Sequence, residues 1–167
     1  LLLYGGAVSN SGTIGSIIAD FVGNYVAGNA EGTFASHVKT GAYGGAVYND
    51  KQSTIGHITG NFVGNYAKAT TASSSARGGA VYNYGSVGNI AGDFVDNFVQ
   101  ATESSSYAEG GAVYNYYNST TGNITGDFVG NYAQATEASS YASGGAVYNH
   151  SGSGTGNITG DFIGNYA

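Results

Sequence analysis

The sequence predicts an all-β chain wound as a parallel β-helix, or β-solenoid, and three observations lead there. Two short motifs alternate strictly along the 167 residues. Gly-Gly-Ala-Val begins at Gly5, Gly44, Gly78, Gly110 and Gly144, and Phe-x-x-Asn begins at Phe21, Phe62, Phe94, Phe128 and Phe162. Together they mark five units of about 34 residues, within the range of solenoid repeats. The second observation is apolar alternation with a period of two, the mark of a half-buried strand. The third is composition: 30 glycines with β-branched and aromatic residues between them make a helix expensive, at roughly 1 kcal/mol per glycine. The 34-residue period also suits a helical tetratricopeptide repeat, but no Ala/Leu-rich amphipathic stretch is present to form one.

Each unit opens on the Gly-Gly pair, which reads as a turn, and continues into a Val-Tyr-Asn strand. Alternation there places Val47 and Tyr48 on opposite faces; if Val47 points inward, its neighbour points outward. A second strand follows, as in Gly122 to Tyr132, where Ile124, Gly126 and Phe128 share one side and Thr125 and Asp127 the other. Asn24, Asn65, Asn97, Asn131 and Asn165 close the Phe-x-x-Asn motif at predicted corners, where side-chain amides bond along the stack. The Ala/Ser/Thr stretches that finish each unit, such as Ala69 to Ser75, have near-constant length and read as a wide turn or a third, polar strand. The first unit carries an extra stretch within Ala27 to Tyr43, a predicted protruding loop with Phe34, His37 and Lys39. Because each unit has two halves of similar length, two coils per unit are expected, ten in all, giving a rod roughly 45–50 Å long. The whole of 1–167 reads as one repeat domain.

Composition excludes several functions. The absence of cysteine removes disulfides, thiolate metal sites and cysteine nucleophiles. A net charge of −6 argues against nucleic acid or an anionic membrane as partner. No apolar run approaches the roughly 20 residues of a membrane span, and Leu1-Leu2-Leu3-Tyr4 is too short for a signal peptide. With no methionine and with coils open at both ends, the chain reads as a processed product or a segment of a longer or self-assembling solenoid.

The paired motifs resemble those of the polymorphic membrane protein family, the autotransporter passengers of bacterial surfaces, at all ten motif positions. The resemblance implies a β-helical passenger displayed at the outer-membrane surface or released outside the cell, acting in adhesion or coating. The chain departs from that family in lacking cysteine and in having longer, more uniform units.

A search for chemistry finds uniform ladders. Asp20, Asp93, Asp127 and Asp161, with Asn61 in the gap, read as a solvated face with carboxylates two coils apart, roughly 9–10 Å, more readily than as a cation line. His57 and His150 read as turn residues without a second histidine at ligand spacing. Arg77 and Glu109 read as a surface ion pair, and no pair of acids converges as a glycosidase requires, so no enzyme and no cofactor are expected. Tyrosine is the informative enrichment. Tyr48, Tyr82, Tyr114 and Tyr148 form one ladder and the predicted contact surface; Tyr25, Tyr66, Tyr132 and Tyr166, with Phe98 between, form another. Two functions follow: an adhesin or passenger stalk binding a cell-surface or carbohydrate ligand, or a self-associating subunit of an extracellular filament.

Overall fold

The chain is a stack of very short parallel strands in the computed structural model, which describes residues 2–28 and 40–167. The first coil sets the pattern with β1 (Leu2–Tyr4), β2 (Val8–Asn10), β3 (Thr13–Ile18), β4 (Phe21–Val22) and β5 (Tyr25–Gly28). Each begins a sheet that runs along the stack, and the sheets are numbered 1 to 5 accordingly. Sheets 1, 2 and 4 have five strands, sheet 5 has four, and sheet 3 has eight because its later levels are split in two. Every pairing is parallel and in register, each motif position over its counterpart: Phe94 lies between Phe62 and Phe128, and Val81 between Val47 and Val113.

One unit therefore makes one coil, not two. Five units give about four turns. Four intervals of about 4.8 Å make the stack about 20 Å from first strand to last, less than half the expected rod. The register shows why. A strand is best covered by its own copy, and the two halves of a unit carry different motifs, so the Gly-Gly half cannot lie over the Phe half.

Inside the coil are two lobes. Val47, Ile55, Ile58 and Phe62, on sheets 2, 3 and 4, head ladders that fill the larger one. Its Phe21/Phe62/Phe94/Phe128/Phe162 column stacks at 4.9, 4.7, 4.7 and 4.7 Å between ring centres. Burial of each interior ring contributes about 2–3 kcal/mol. The smaller lobe, between sheets 1 and 5, is lined mainly by alanines such as Ala42, Ala67, Ala76 and Ala108. Between the lobes the coil is pinched. The second glycine of each pair meets the opposite backbone: a Cβ on Gly45 would lie 2.6 Å from the Tyr66 nitrogen and would overlap the Gly79 carbonyl of the next coil. The first glycine of each pair turns the chain into the pinch with φ between +53° and +70°. The Ala/Ser/Thr stretches close the small lobe as a turn around left-handed Ser73, Ser105 and Ser139, then enter a sheet-1 strand.

Asparagine ladders hold the corners. Asn97 is buried, donates to the Phe62 carbonyl (2.8 Å) and to Asn131 Oδ1 (3.0 Å), and accepts from the Asn65 backbone N–H (3.0 Å) and side chain (2.9 Å). All its amide capacity is used within the stack. A second ladder, Asn10, Asn49, Asn83, Asn115 and Asn149, ends the Gly-Gly-Ala-Val strands with amide-to-amide bonds of 2.8–3.3 Å.

Candidate interaction surface

Because the backbone is drawn inward at the Gly-Gly pinch, the outer faces of sheets 1 and 2 turn toward each other across a groove. Aromatic side chains fill it from both walls, with ring centres 4.4 Å apart for Tyr4–Tyr48 and 5.1 Å for Tyr43–Tyr82. Tyr48, Tyr82, Tyr114 and Tyr148 do point away from the Val47 core, as alternation requires. Yet Tyr48, Tyr82 and Tyr114 are buried and Tyr148 is half-buried, covered by Tyr43, Tyr84 and Tyr116. That ladder is a second, external core and does not form the predicted contact stripe.

Arg77 lies in the same groove. Its Nε donates to Glu109 Oε2 at 2.6 Å, and its guanidinium lies 5.4, 5.7 and 5.9 Å from the rings of Tyr114, Tyr116 and Tyr43. The two residues sit on adjacent coils as register partners, mostly buried, so the pair is a groove element and not a surface one. Burial opposes the guanidinium charge, but the Glu109 carboxylate bonded to Nε and the facing aromatic rings outweigh it and keep Arg77 protonated. The phenols of Tyr48, Tyr82 and Tyr114 are pushed up, chiefly by burial.

The sign of that shift gives an expected alkaline behaviour. An unfolded tyrosine ionises near pH 10, and these three ionise only above it while folded. The stabilisation is therefore complete below about pH 10 and is lost as pH climbs beyond it. Phenolate absorbance should rise in two phases, the later one coinciding with loss of β-sheet ellipticity. A single phase with the fold intact would contradict the buried ladder.

The other aromatic ladder is the outward one. Tyr25, Tyr66, Phe98, Tyr132 and Tyr166 stack on sheet 5 at 5.0, 4.8, 4.8 and 5.1 Å with planes within 7° of parallel. Their faces are taken up by one another, so the ladder offers solvent mainly ring edges. Beside it run the outer valines Val22, Val63, Val95 and Val129, half-buried to exposed.

The remaining polar ladders are structural. Asp20, Asn61, Asp93 and Asp127 each accept, through Oδ1, the backbone N–H of their counterpart one coil on, at 2.7–3.0 Å. The carboxylates are one coil apart, not two, and each is tied to its neighbour's backbone. His57 Nδ1 does the same for Asn89 at 3.3 Å. His150 packs among Tyr114, Tyr116 and Tyr148, where its Nδ1 and the Tyr114 hydroxyl are buried without a hydrogen-bond partner. Phe34, His37 and Lys39 lie outside the described residues.

One feature that composition did not single out is a notch at the corner between sheets 2 and 3. In the second, fourth and fifth coils four residues bridge this corner, as in Asp50-Lys51-Gln52-Ser53 and Tyr116-Tyr117-Asn118-Ser119. The third coil uses two, Tyr84-Gly85, with Gly85 N–H held by Asn83 Oδ1 at 3.0 Å. Its neighbours overhang it. The result is a cleft of about 340 Å³ with Lys51 and Gln52 on one wall, Tyr117 and Asn118 on the other, and Tyr84, Gly85 and Ser86 as its floor. The signal in the sequence is the spacing: stacked counterparts in the second and third coils are 32 residues apart, against 34 between the third and fourth.

No family model matches the chain, and no curated protein or solved structure does so either. Among the described residues no helix is long and apolar enough to cross a membrane, and no group of three acids or histidines could hold a metal ion.

Proposed function

We propose that the chain is a non-enzymatic solenoid of the cell surface or extracellular space, an adhesive stalk that displays binding features on a stiff scaffold. The observation that carries this reading is where the repeat varies. Interior ladders and asparagine corners are nearly invariant from coil to coil, while among the described residues the change in length falls on an outward corner, the one between sheets 2 and 3. In solenoids such changes map to loops on one face, often the binding face. A scaffold whose polar ladders are already engaged in holding coils together leaves that corner to do the recognising. The motif resemblance to autotransporter passengers supports the same placement.

The test is attachment under flow. Beads coated with the purified chain should be held by a monolayer of epithelial cells more strongly than beads coated with heat-denatured chain. Equal retention of the two would overturn the adhesive reading.

A second reading is self-association into filaments, favoured by the parallel, in-register pairing of every level, in which a coil of one copy can cover the like coil of another. Electron microscopy over a concentration series separates the readings: uniform filaments support assembly, and short separate particles at all concentrations overturn it.

A further inference from the structure

The notch of the third coil has the form of a ligand site and not of a structural defect. Its two walls belong to the second and fourth coils, so their backbones stand about 9.6 Å apart, two strand spacings. The cleft of about 340 Å³ between them has room for one six-membered sugar ring in its chair form. Each wall is a four-residue turn whose third residue is left-handed, Gln52 at φ 62° and Asn118 at 59°, as Gly152 is at 74° in the fifth coil; Tyr117, at 33°, adds a left-handed residue that the other corners lack. A left-handed tyrosine is unusual, because its Cβ crowds the following carbonyl. Such strain gathers at ligand clamps. It also leaves the Tyr117 ring 53 % exposed at the rim, facing solvent where a buried position would have been expected of an aromatic.

The chemistry lining the notch is of three kinds. Tyr117 and the half-buried Tyr84 offer apolar ring surface against which the C–H face of a sugar can pack. Gln52, Asn118 and Ser86, all exposed, supply mixed donors and acceptors suited to hydroxyl groups. Lys51 supplies the charge. Its ammonium lies 5.8 Å from the centre of the Tyr84 ring, and the one ion pair among the described residues is elsewhere, at Arg77 and Glu109. Its neighbour Asp50 is already engaged, accepting from the Lys51 backbone N–H at 2.7 Å and the Tyr48 hydroxyl at 3.0 Å.

We propose that this notch binds a single carboxylate-bearing pyranose of a glycan, with Tyr84 and Tyr117 packing on the ring, Gln52, Asn118 and Ser86 reading hydroxyls, and Lys51 meeting the carboxylate. The net charge of −6 sets the limit on that ligand. A lone carboxylate lies within reach of Lys51, whereas a densely anionic polymer would meet the chain's own negative field along its length. The ligand is thus an acidic sugar set in an otherwise neutral glycan. The proposal deepens the adhesive reading and rests on it only for its biological purpose.

Saturation-transfer NMR on the whole chain tests it with three probes: 3′-sialyllactose, lactose and a heparin octasaccharide. Transfer to the sialic acid of sialyllactose is expected, with at least tenfold weaker affinity for lactose and for heparin. Tyr117→Ser, an exposed change, should abolish the signal while leaving the circular dichroism unchanged. Insertion of Ser-Gly after Tyr84, which restores the longer corner, should do the same by filling the notch. Lys51→Gln should lower sialyllactose affinity to that of lactose. Absence of transfer from every probe would overturn the site, as would binding indifferent to Tyr117→Ser and the insertion. Preference for heparin would overturn the ligand class. The bead assay keeps the two readings apart: cell attachment that persists undiminished in Tyr117→Ser leaves the adhesive stalk standing and removes the notch as its binding site.

Discussion

Gly79→Ala is expected to abolish cooperative folding, although it adds one methyl group. A Cβ at this position would overlap the Gly111 carbonyl oxygen and lie 2.6 and 2.7 Å from the Phe98 oxygen and nitrogen. All three are backbone atoms inside a hydrogen-bonded ladder, so no rotamer change relieves the clash. Making room requires sheet 5 to move away from the sheet 1–2 corner, which opens the pinch and exposes both lobes. The expected loss exceeds about 4–5 kcal/mol, the upper end for single substitutions and a large part of the stability of an ordinary domain. Gly64→Ala is the comparison that isolates the cause. Gly64 has a φ of +62° yet nothing within 4 Å of its would-be Cβ, so it should lose only the left-handed preference, about 1–2 kcal/mol. Urea melts followed by circular dichroism read both. A Gly79→Ala chain melting within about 1 kcal/mol of the parent would show that the pinch is not as tight as its geometry.

Asn97→Ala is the second large effect, acting through polar groups in place of sterics. The side chain is fully buried and makes four hydrogen bonds, two of them to backbone groups of the second coil. Its removal leaves the Asn65 N–H buried and unpaired, at about 1–3 kcal/mol, and takes the second donor from the Phe62 carbonyl, which keeps only its ladder partner, the Val95 N–H. It also interrupts the amide chain at its centre. A loss of about 3–5 kcal/mol is expected, against roughly half that for Asn165→Ala on the last coil, where the ladder ends and the side chain is half-buried. Equal losses at the two positions would mean that each asparagine acts alone and that the ladder adds nothing.

The fold class was readable because stacking leaves a mark in every unit: Phe94 must cover Phe62, and it can do so only if the residue recurs. The same logic could have set the coil length. Gly78 and Phe94 are separated by nearly half a unit, but they share no chemistry, and parallel in-register pairing stacks like on like. The direction of Tyr48 also followed from alternation. What did not follow is its cover. Burial of that ladder depends on Tyr43 and Arg77 coming across from sheet 1, a long-range result of the left-handed glycine at position 44, and nothing in the local alternation carries it. The notch was recoverable by counting: the shorter interval between Asn65 and Asn97 marks the one internal coil with two residues missing from a corner. Counting also confines the omission to the stretch between Asn83 and Asn97, because Asn49 and Asn83 are still 34 residues apart; what it could not give is the corner within that stretch.

One unit per coil has a consequence for reach. A chain that spends about 34 residues on each 4.8 Å of height is a poor way to cover distance: projecting a tip 100 Å from a surface takes about 21 units, or roughly 700 residues. An extended segment of the same height would need about 30. What the solenoid gains for that material is breadth. Every 4.8 Å step brings a complete new perimeter of corners past the same point in the surroundings, and an editing event as small as two residues re-sculpts one corner while the ladders above and below remain in register. A protein of this kind is a column of independently revisable ledges, each open to change without disturbing the ladders above and below it.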